Sequence, residues 1–292
     1  MVKFMFSEEL FNNCLIIINK PPKIISHELT TWVKKITGAK RSGHAGTLDP
    51  QVSGVLPVAL GKATKLLTYI APKDKIYVGI IKFRRILPRN EIESLFQKFT
   101  GEIEQTPPKQ SAVRKVKRKR KIYYLKFLEQ NEANPRLVLF ETRVDAGTYI
   151  RTLCEDIGKL CGGARMEELR RTAVGNITED QAFTIYDLID ALWLLKNKND
   201  SGALEKMLRK PEEFIDYPKV IVKESAIKSI SSGAQIMFPA VKTYPAQVDR
   251  DALVSLYSES GKFVGVGRAA VSNEDFKKMS SGLVVKLERV HL

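Results

Sequence analysis

The stretch Gly43-His44-Ala45-Gly46-Thr47-Leu48-Asp49-Pro50, continuing through Gly54-Val55-Leu56-Pro57-Val58, decides how the rest of the chain is read. Three glycines and two prolines in so short a run demand a tight backbone, and one carboxylate, Asp49, stands between a leucine and a proline. The proline pushes Asp49 out of the α region, and the glycines permit turns or the close approach of another backbone. A lone acid on such a loop suits a structural Asx-type turn or a catalytic site. The residues of the loop alone leave both open.

The remaining sequence narrows the choice. With 292 residues, 43% of them hydrophobic, the chain has length for one large or two ordinary domains and can bury a full core. A net charge of +15 favours a polyanionic partner. No apolar run has the length of a membrane span. The opening segment 1–6 is too short, and too soon followed by Glu8 and Glu9, for a signal peptide. Cys14, Cys154 and Cys161 lack CxxC spacing, which points to buried free thiols rather than zinc or disulfides.

Residues 15–20 form an apolar run stopped by Pro21-Pro22 and read as a buried strand. Helical spacing over 26–36 follows, with Ser26 as its N-cap and Gly38 beyond its end. The glycine-rich segment 43–58 reads as a loop, 75–83 as a strand and 90–99 as an amphipathic helix. A strand over 137–144 feeds a turn that launches a helix over 149–160. Its core stripe is Ile150, Leu153, Ile157 and Leu160, with Glu155 and Lys159 paired outside. Thr184 and Asp187 have capping-box spacing ahead of a helix over 185–195. Composition shifts across 210–218, and the chain beyond it reads as β-rich. Strands and helices mixed without regular βαβ alternation give an α+β fold.

The run from Gly43 to Val58 closely resembles the signature loop of TruB-type pseudouridine synthases, G-H-x-G-T-L-D-P-x-x-x-G-V-L-P-V. Lys75-Ile76-Tyr77, Gly147-Thr148-Tyr149-Ile150-Arg151 and Leu169-Arg170-Arg171-Thr172 follow in the order of that family. The chain departs from it at Pro22-Lys23-Ile24-Ile25, where the family carries a Gly-Pro-Thr type segment. The resemblance implies a catalytic domain over 1–216 with a mixed central sheet and flanking helices. It also implies a small β-rich PUA pseudo-barrel over 217–292 that binds RNA.

By the same resemblance Asp49 is the catalytic carboxylate, acting as nucleophile at C1′ or as base at C2′ of the target uridine. Arg151 matches the arginine that pairs with it, a role suited to a planar guanidinium fork. Tyr77 matches the tyrosine that stacks on the base, His44 the residue that helps hold the flipped uridine, and Leu169 the pocket floor. Each has a plainer reading: a helix-surface arginine, a core tyrosine, a turn histidine, a core leucine. Arg114, Lys115, Lys117, Arg118, Lys119, Arg120 and Lys121 make seven cations in eight positions. They read as a solvated charge run or, by resemblance, as the thumb loop that closes over RNA. No metal-ligand cluster is evident, and the isomerisation implies no cofactor.

Variants such as Leu153-Cys154-Glu155-Asp156-Ile157-Gly158 and Met166-Glu167-Glu168-Leu169 are similar to the dyskerin-type, archaeal-like branch. That branch implies guide RNA and substrate RNA as partners, with the small protein subunits of a box H/ACA ribonucleoprotein. Its setting is the cytoplasm for an archaeal-type protein and the nucleolus for a eukaryotic one; no membrane is implied. The alternatives are a guide-free tRNA T-loop synthase and a non-catalytic RNA-binding scaffold.

Overall fold

The computed structural model describes residues 10–70, 73–107 and 114–291; the segment 1–6 read against a signal peptide lies outside them. Backbone contacts divide the chain into two compact units, Met1–Arg209 and Lys210–Leu292.

The first unit opens with β1 (Asn13–Lys20), whose Leu15, Ile16, Ile17 and Ile18 are wholly buried. Helix α1 (Ser26–Thr37) ends at Gly38 in the left-handed conformation that glycine adopts without strain. Strands β2 (Ser42–His44) and β3 (Ser53–Gly61) follow, so the loop expected over 43–58 shrinks to the residues between them. After the short α2 (Leu67–Ile70) come β4 (Lys75–Phe83), α3 (Arg89–Phe99), β5 (Gly101–Gln105), β6 (Arg118–Gln130) and β7 (Leu137–Val144). The unit closes with α4 (Ile150–Cys161), β8 (Ala164–Val174), β9 (Ile177–Thr178), α5 (Ile185–Lys198) and α6 (Gly202–Met207).

These strands form one mixed sheet in the order β1-β3-β8-β4-β7-β6-β5, with β2 added to β3 and β9 to β8. Two cores build it. Leu29, Val33, Leu188 and Leu192 of α1 and α5 cover Ile16, Ile18, Leu56 and Val58 of β1 and β3. Ile92, Phe96, Leu153 and Ile157 of α3 and α4 cover Ile81, Phe83, Val138 and Phe140 of β4 and β7. The halves join where β3 and β8 run parallel through Ser53↔Arg170 and Gly54↔Arg171. Gly54 has φ of 104°, and a Cβ there would lie 2.1 Å from the Arg171 carbonyl oxygen. Only glycine lets the strands meet so closely.

Several local expectations are revised. Ile25, not Ser26, occupies the N-cap of α1, and the Ser26 hydroxyl is spent on the backbone of Leu48. Leu160 is 58% exposed, because the 3.6-residue period carries the buried stripe of α4 through Cys154 to Cys161. Lys159 pairs with Asp156 at 2.5 Å rather than with Glu155. The Thr184–Asp187 capping box forms as its spacing suggests. Strand β8, polar through much of its length, was not legible as a strand; it is fixed by pairing with β4 along one edge and β3 on the other.

The second unit contains β10 (Lys219–Val222), α7 (Ile227–Ser231), β11 (Ile236–Met237), β12 (Val241–Thr243) and the hairpin of β13 (Leu253–Ser258) and β14 (Phe263–Ala269). Helix α8 (Asn273–Lys278) and β15 (Leu283–Val290) complete it. Its six strands run β11-β15-β14-β13-β10-β12 around a core that includes Val220, Val254, Leu256, Val264 and Val284.

The three cysteines are free and buried, Cys14 in the β1–β3 core and Cys154 and Cys161 in the α4 core. Burial pushes the Cys14 thiol up to about 12 and raises the other two. Among the described residues no helix is long and apolar enough to cross a membrane.

Gly54→Ala is expected to lower stability by about 2 kcal/mol or more, through backbone strain and collision with Arg171. Chemical denaturation of the two proteins measures the difference.

Candidate active site

The short loop between β2 and β3 is held from outside at almost every step. The Ala45 amide donates to the Pro57 carbonyl at 2.9 Å. Ser26 Oγ donates to the Leu48 carbonyl at 3.0 Å and accepts from the Leu48 amide at 2.9 Å. The Pro50 carbonyl accepts from the Lys23 amide at 2.7 Å and from Lys20 Nζ at 3.1 Å. The Val52 amide closes onto the Asp49 carbonyl at 3.0 Å. Leu48 and Val52 drop their side chains into the α4 core. Between two pinned neighbours, the Asp49 side chain projects outward.

Arg151, in the first turn of α4, donates from Nη2 to Asp49 Oδ2 at 2.8 Å. The carboxylate is 56% exposed and the guanidinium side chain 39%, so the pair is open to solvent rather than set in the partly buried pocket that the chemistry suggests. The start of α4 is fixed by Gln105, whose amide accepts from the Tyr149 amide at 2.9 Å and donates to its carbonyl at 3.1 Å. The structure thus brings Asp49 and Arg151 together, as the family resemblance implies.

Beneath the loop lies Arg171, with no measurable exposure. Its Nε donates to the Val55 carbonyl at 2.9 Å and its Nη2 to the Gly46 carbonyl at 2.8 Å, one on each side of Asp49. Lys20 and Lys75 are buried nearby, and burial together with the Arg171 charge lowers each to about 8. Asp49 opposes the shift of Lys20, and Asp74 that of Lys75. His44 is also lowered, by burial first and then by the charges of His27 and Arg171. The floor under the loop is thus strongly positive.

The other expected residues fall into place unevenly. His44 lies on β2, and its two ring nitrogens contact the hydroxyls of Thr30 and Thr47, each at 3.1 Å. Tyr77 is 7% exposed on β4, packed in the same core as Leu48 and Val52 and adjacent in register to Arg171. Leu169 is buried on β8 opposite Gly79. The basic run divides: Arg118 to Lys121 begin β6, while Arg114 to Lys117 precede it without regular structure. Lys119 meets Glu102 at 2.8 Å across the β5–β6 ladder, and Lys117, just before β6, meets Glu104 at 3.8 Å.

Sequence reading missed the supports: Ser26, Lys20, Lys75, Gln105 and Arg171. A lysine closing an otherwise apolar strand, and an arginine inside the Leu169-Arg170-Arg171-Thr172 motif, were the available signals. Neither reveals burial without the strand that carries it.

Residues 34–87 match the N-terminal domain of the TruB family of pseudouridylate synthases, and residues 151–215 the C-terminal domain of tRNA pseudouridylate synthase B. A probable tRNA pseudouridine synthase B of Pyrobaculum aerophilum is 41% identical over 286 residues, 97% of this chain and 85% of that protein. The chain belongs to the TruB family. It is an RNA pseudouridine synthase, an isomerase. Residues 218–291 of this TruB-family chain match the PUA domain. The fold is shared with a chain of a Cbf5–Nop10–Gar1 complex, at a TM-score of 0.90 and 37% identity, over 97% of this chain and 86% of that one. It is shared equally with a chain of an H/ACA ribonucleoprotein bound to a substrate RNA containing 2′-deoxyuridine, at a TM-score of 0.89 and 35% identity, over 99% and 88% of the two chains.

Arg171→Met strands the Gly46 and Val55 carbonyls, at a cost of about 1–3 kcal/mol for each buried acceptor left unpaired. A lowered thermal midpoint together with slower pseudouridine formation is the expected result. A second outcome concerns pH. Lys75 binds its proton less tightly in the fold, at about 8, than its ordinary 10.5. The unfolded chain therefore holds more protons across that window, and stability rises with pH through it. Relative to Lys75→Met, the wild-type thermal midpoint should climb between those two values in a scan of buffered samples.

Proposed function

We propose that this chain is the catalytic subunit of a guide-RNA-directed, box H/ACA-type ribonucleoprotein, and that Asp49 carries the isomerisation of uridine to pseudouridine. The observation that carries this reading is the Asp49–Arg151 pair at 2.8 Å, on a loop whose backbone is held on both sides of the acid. The shared fold with H/ACA chains at TM-scores of 0.90 and 0.89 supports the guided form.

In the reaction the bond from ribose C1′ to uracil N1 breaks, the free base turns, and C1′ joins C5. The proton on C5 leaves and N1 gains one, so the product is an isomer. Asp49 attacks C1′ or removes the proton at C2′, and Arg151 orients the carboxylate for either route. Tyr77 stacks on the detached base and moves a proton at the end, Leu169 lines the floor, and His44 holds the flipped nucleotide. A half-exposed acid becomes enclosed only when RNA covers it, which keeps water from the reacting sugar. Extracting the base from its stack costs a few kcal/mol, recovered through phosphate contacts with the basic run.

Residues 1–216 form the synthase domain in this reading and 217–292 an RNA-gripping module, with guide RNA, substrate RNA and small protein subunits as partners. Its setting is the cytoplasm of an archaeal-type cell. A second reading, a guide-free tRNA synthase, is favoured by the name of the Pyrobaculum aerophilum relative.

Purified protein incubated with tRNA or rRNA fragments, with and without a guide RNA and small partner proteins, separates the two. Conversion only with guide supports the first reading, and conversion of bare tRNA the second. Asp49→Asn should abolish product while RNA binding survives; a variant that still converts uridine removes Asp49 from the chemistry. Serine at Arg114 and Lys115 should flatten the salt dependence of RNA binding more than serine at Lys117 and Lys119, whose charges already face Glu104 and Glu102.

A further inference from the structure

A second cationic site lies at the far end of α4. The ends of three adjacent strands converge there: Lys82 and Phe83 close β4, Arg165 opens β8, and Arg136 directly precedes β7. The Phe83 amide donates to the Arg136 carbonyl and the Arg84 amide to the Gly163 carbonyl, both at 2.8 Å, which ties the three ends together. Around them is an open pocket of about 340 Å³ lined by Lys82, Phe83, Arg84, Arg136, Gly163, Ala164 and Arg165.

Four cations therefore face one concavity. Glu167 contacts two of them, Arg165 at 3.0 Å and Lys82 at 3.6 Å. Among the described residues, Arg84 and Arg136 have no carboxylate partner; Arg136 Nε reaches only the Asn134 side-chain oxygen, at 3.5 Å. The formal charge of the group, counting Glu167, is +3. Like charges gathered at neighbouring strand ends repel one another, and a bound anion would relieve that repulsion. Phe83 is 1% exposed, which leaves no aromatic face on which a base could stack. Two guanidinium forks without a carboxylate partner, beside a lysine, match the oxygens of a phosphodiester, which arginine holds bidentately.

We propose that this pocket binds the backbone phosphates of RNA as an anchor separate from the active site. The inference rests on the chain acting on RNA. Tyr77 and Phe83 are six residues apart on β4, so the pocket lies about 20 Å along the sheet from the base-binding tyrosine. Arg151 stands at one end of α4 and the pocket wall at Gly163 at the other, about 18 Å of helix away. A strand engaged at both ends is held in register while its uridine turns, without any base being read at the anchor.

The test compares wild type with Arg84→Glu/Arg136→Glu and with the milder Arg84→Gln/Arg136→Gln. Affinity for a transcribed tRNA and for an H/ACA-type guide hairpin is measured across a salt series, with thermal melts to confirm folding. The glutamate variant should weaken binding of at least one RNA about tenfold and reduce its salt slope by about 1–2; the glutamine variant should shift both in the same direction, less far. Unchanged affinity and slope for both RNAs, in variants that melt like wild type, overturn the proposal. So does polyglutamate that competes at the pocket in wild type more strongly than RNA does, since the occupant is then an acidic protein segment. If wild type still forms pseudouridine in either case, only the anchor fails. If wild type neither binds nor converts any RNA, the proposal falls together with the functional reading.

Discussion

Arg171 gives its buried guanidinium to two carbonyls, and the geometry around Asp49 depends on that choice. A charge buried without a carboxylate is costly unless its donors are well satisfied. Here the Val55 and Gly46 oxygens satisfy two of them and are themselves fixed on either side of the acid. The same arginine belongs to β8 at its junction with β3, so the element that joins the two halves of the sheet also sets the loop. Sheet pairing and loop conformation share one residue at this point.

The positive floor and the exposed acid divide the electrostatic work. Lys20, Lys75 and Arg171 lie under the loop, where no solvent screens them fully. Asp49 and Arg151 sit above, near enough to pair and open enough to be covered. A solvent-exposed ion pair contributes little to stability by itself. What it does in the fold is orient: Arg151 holds the Asp49 carboxylate, with Gln105 fixing the start of α4 and Ser26 fixing Leu48.

How much of this was legible in the sequence varies from residue to residue. Strands β4 and β7 carry clear alternation and end where the pattern ends, at Lys75–Phe83 and Leu137–Val144. The pairing of Asp49 with Arg151 was legible through family motifs, although 102 residues separate them. Local periodicity failed where partners decide the structure. Ala164–Val174 is a strand because β4 and β3 flank it, not because Arg-Met-Glu-Glu favours one. Ser26 has the chemistry of a cap, yet a buried backbone 22 residues away competes for its hydroxyl and wins. Leu160 was placed inside by counting threes, where the helix needed a four. The supports of the site are long-range hydrogen bonds from ordinary-looking residues, and one-dimensional patterns do not encode them.

Each half of the sheet encloses thiols of its own, Cys14 against β3 and Cys154 with Cys161 against β8. Raised by burial, these groups stay protonated and inert while the protein is folded. They become reactive only when their own core opens. The chain thus carries two internal clocks for local unfolding. Alkylation followed residue by residue times the opening of the half that holds the loop strands separately from the half that holds the helix of Arg151.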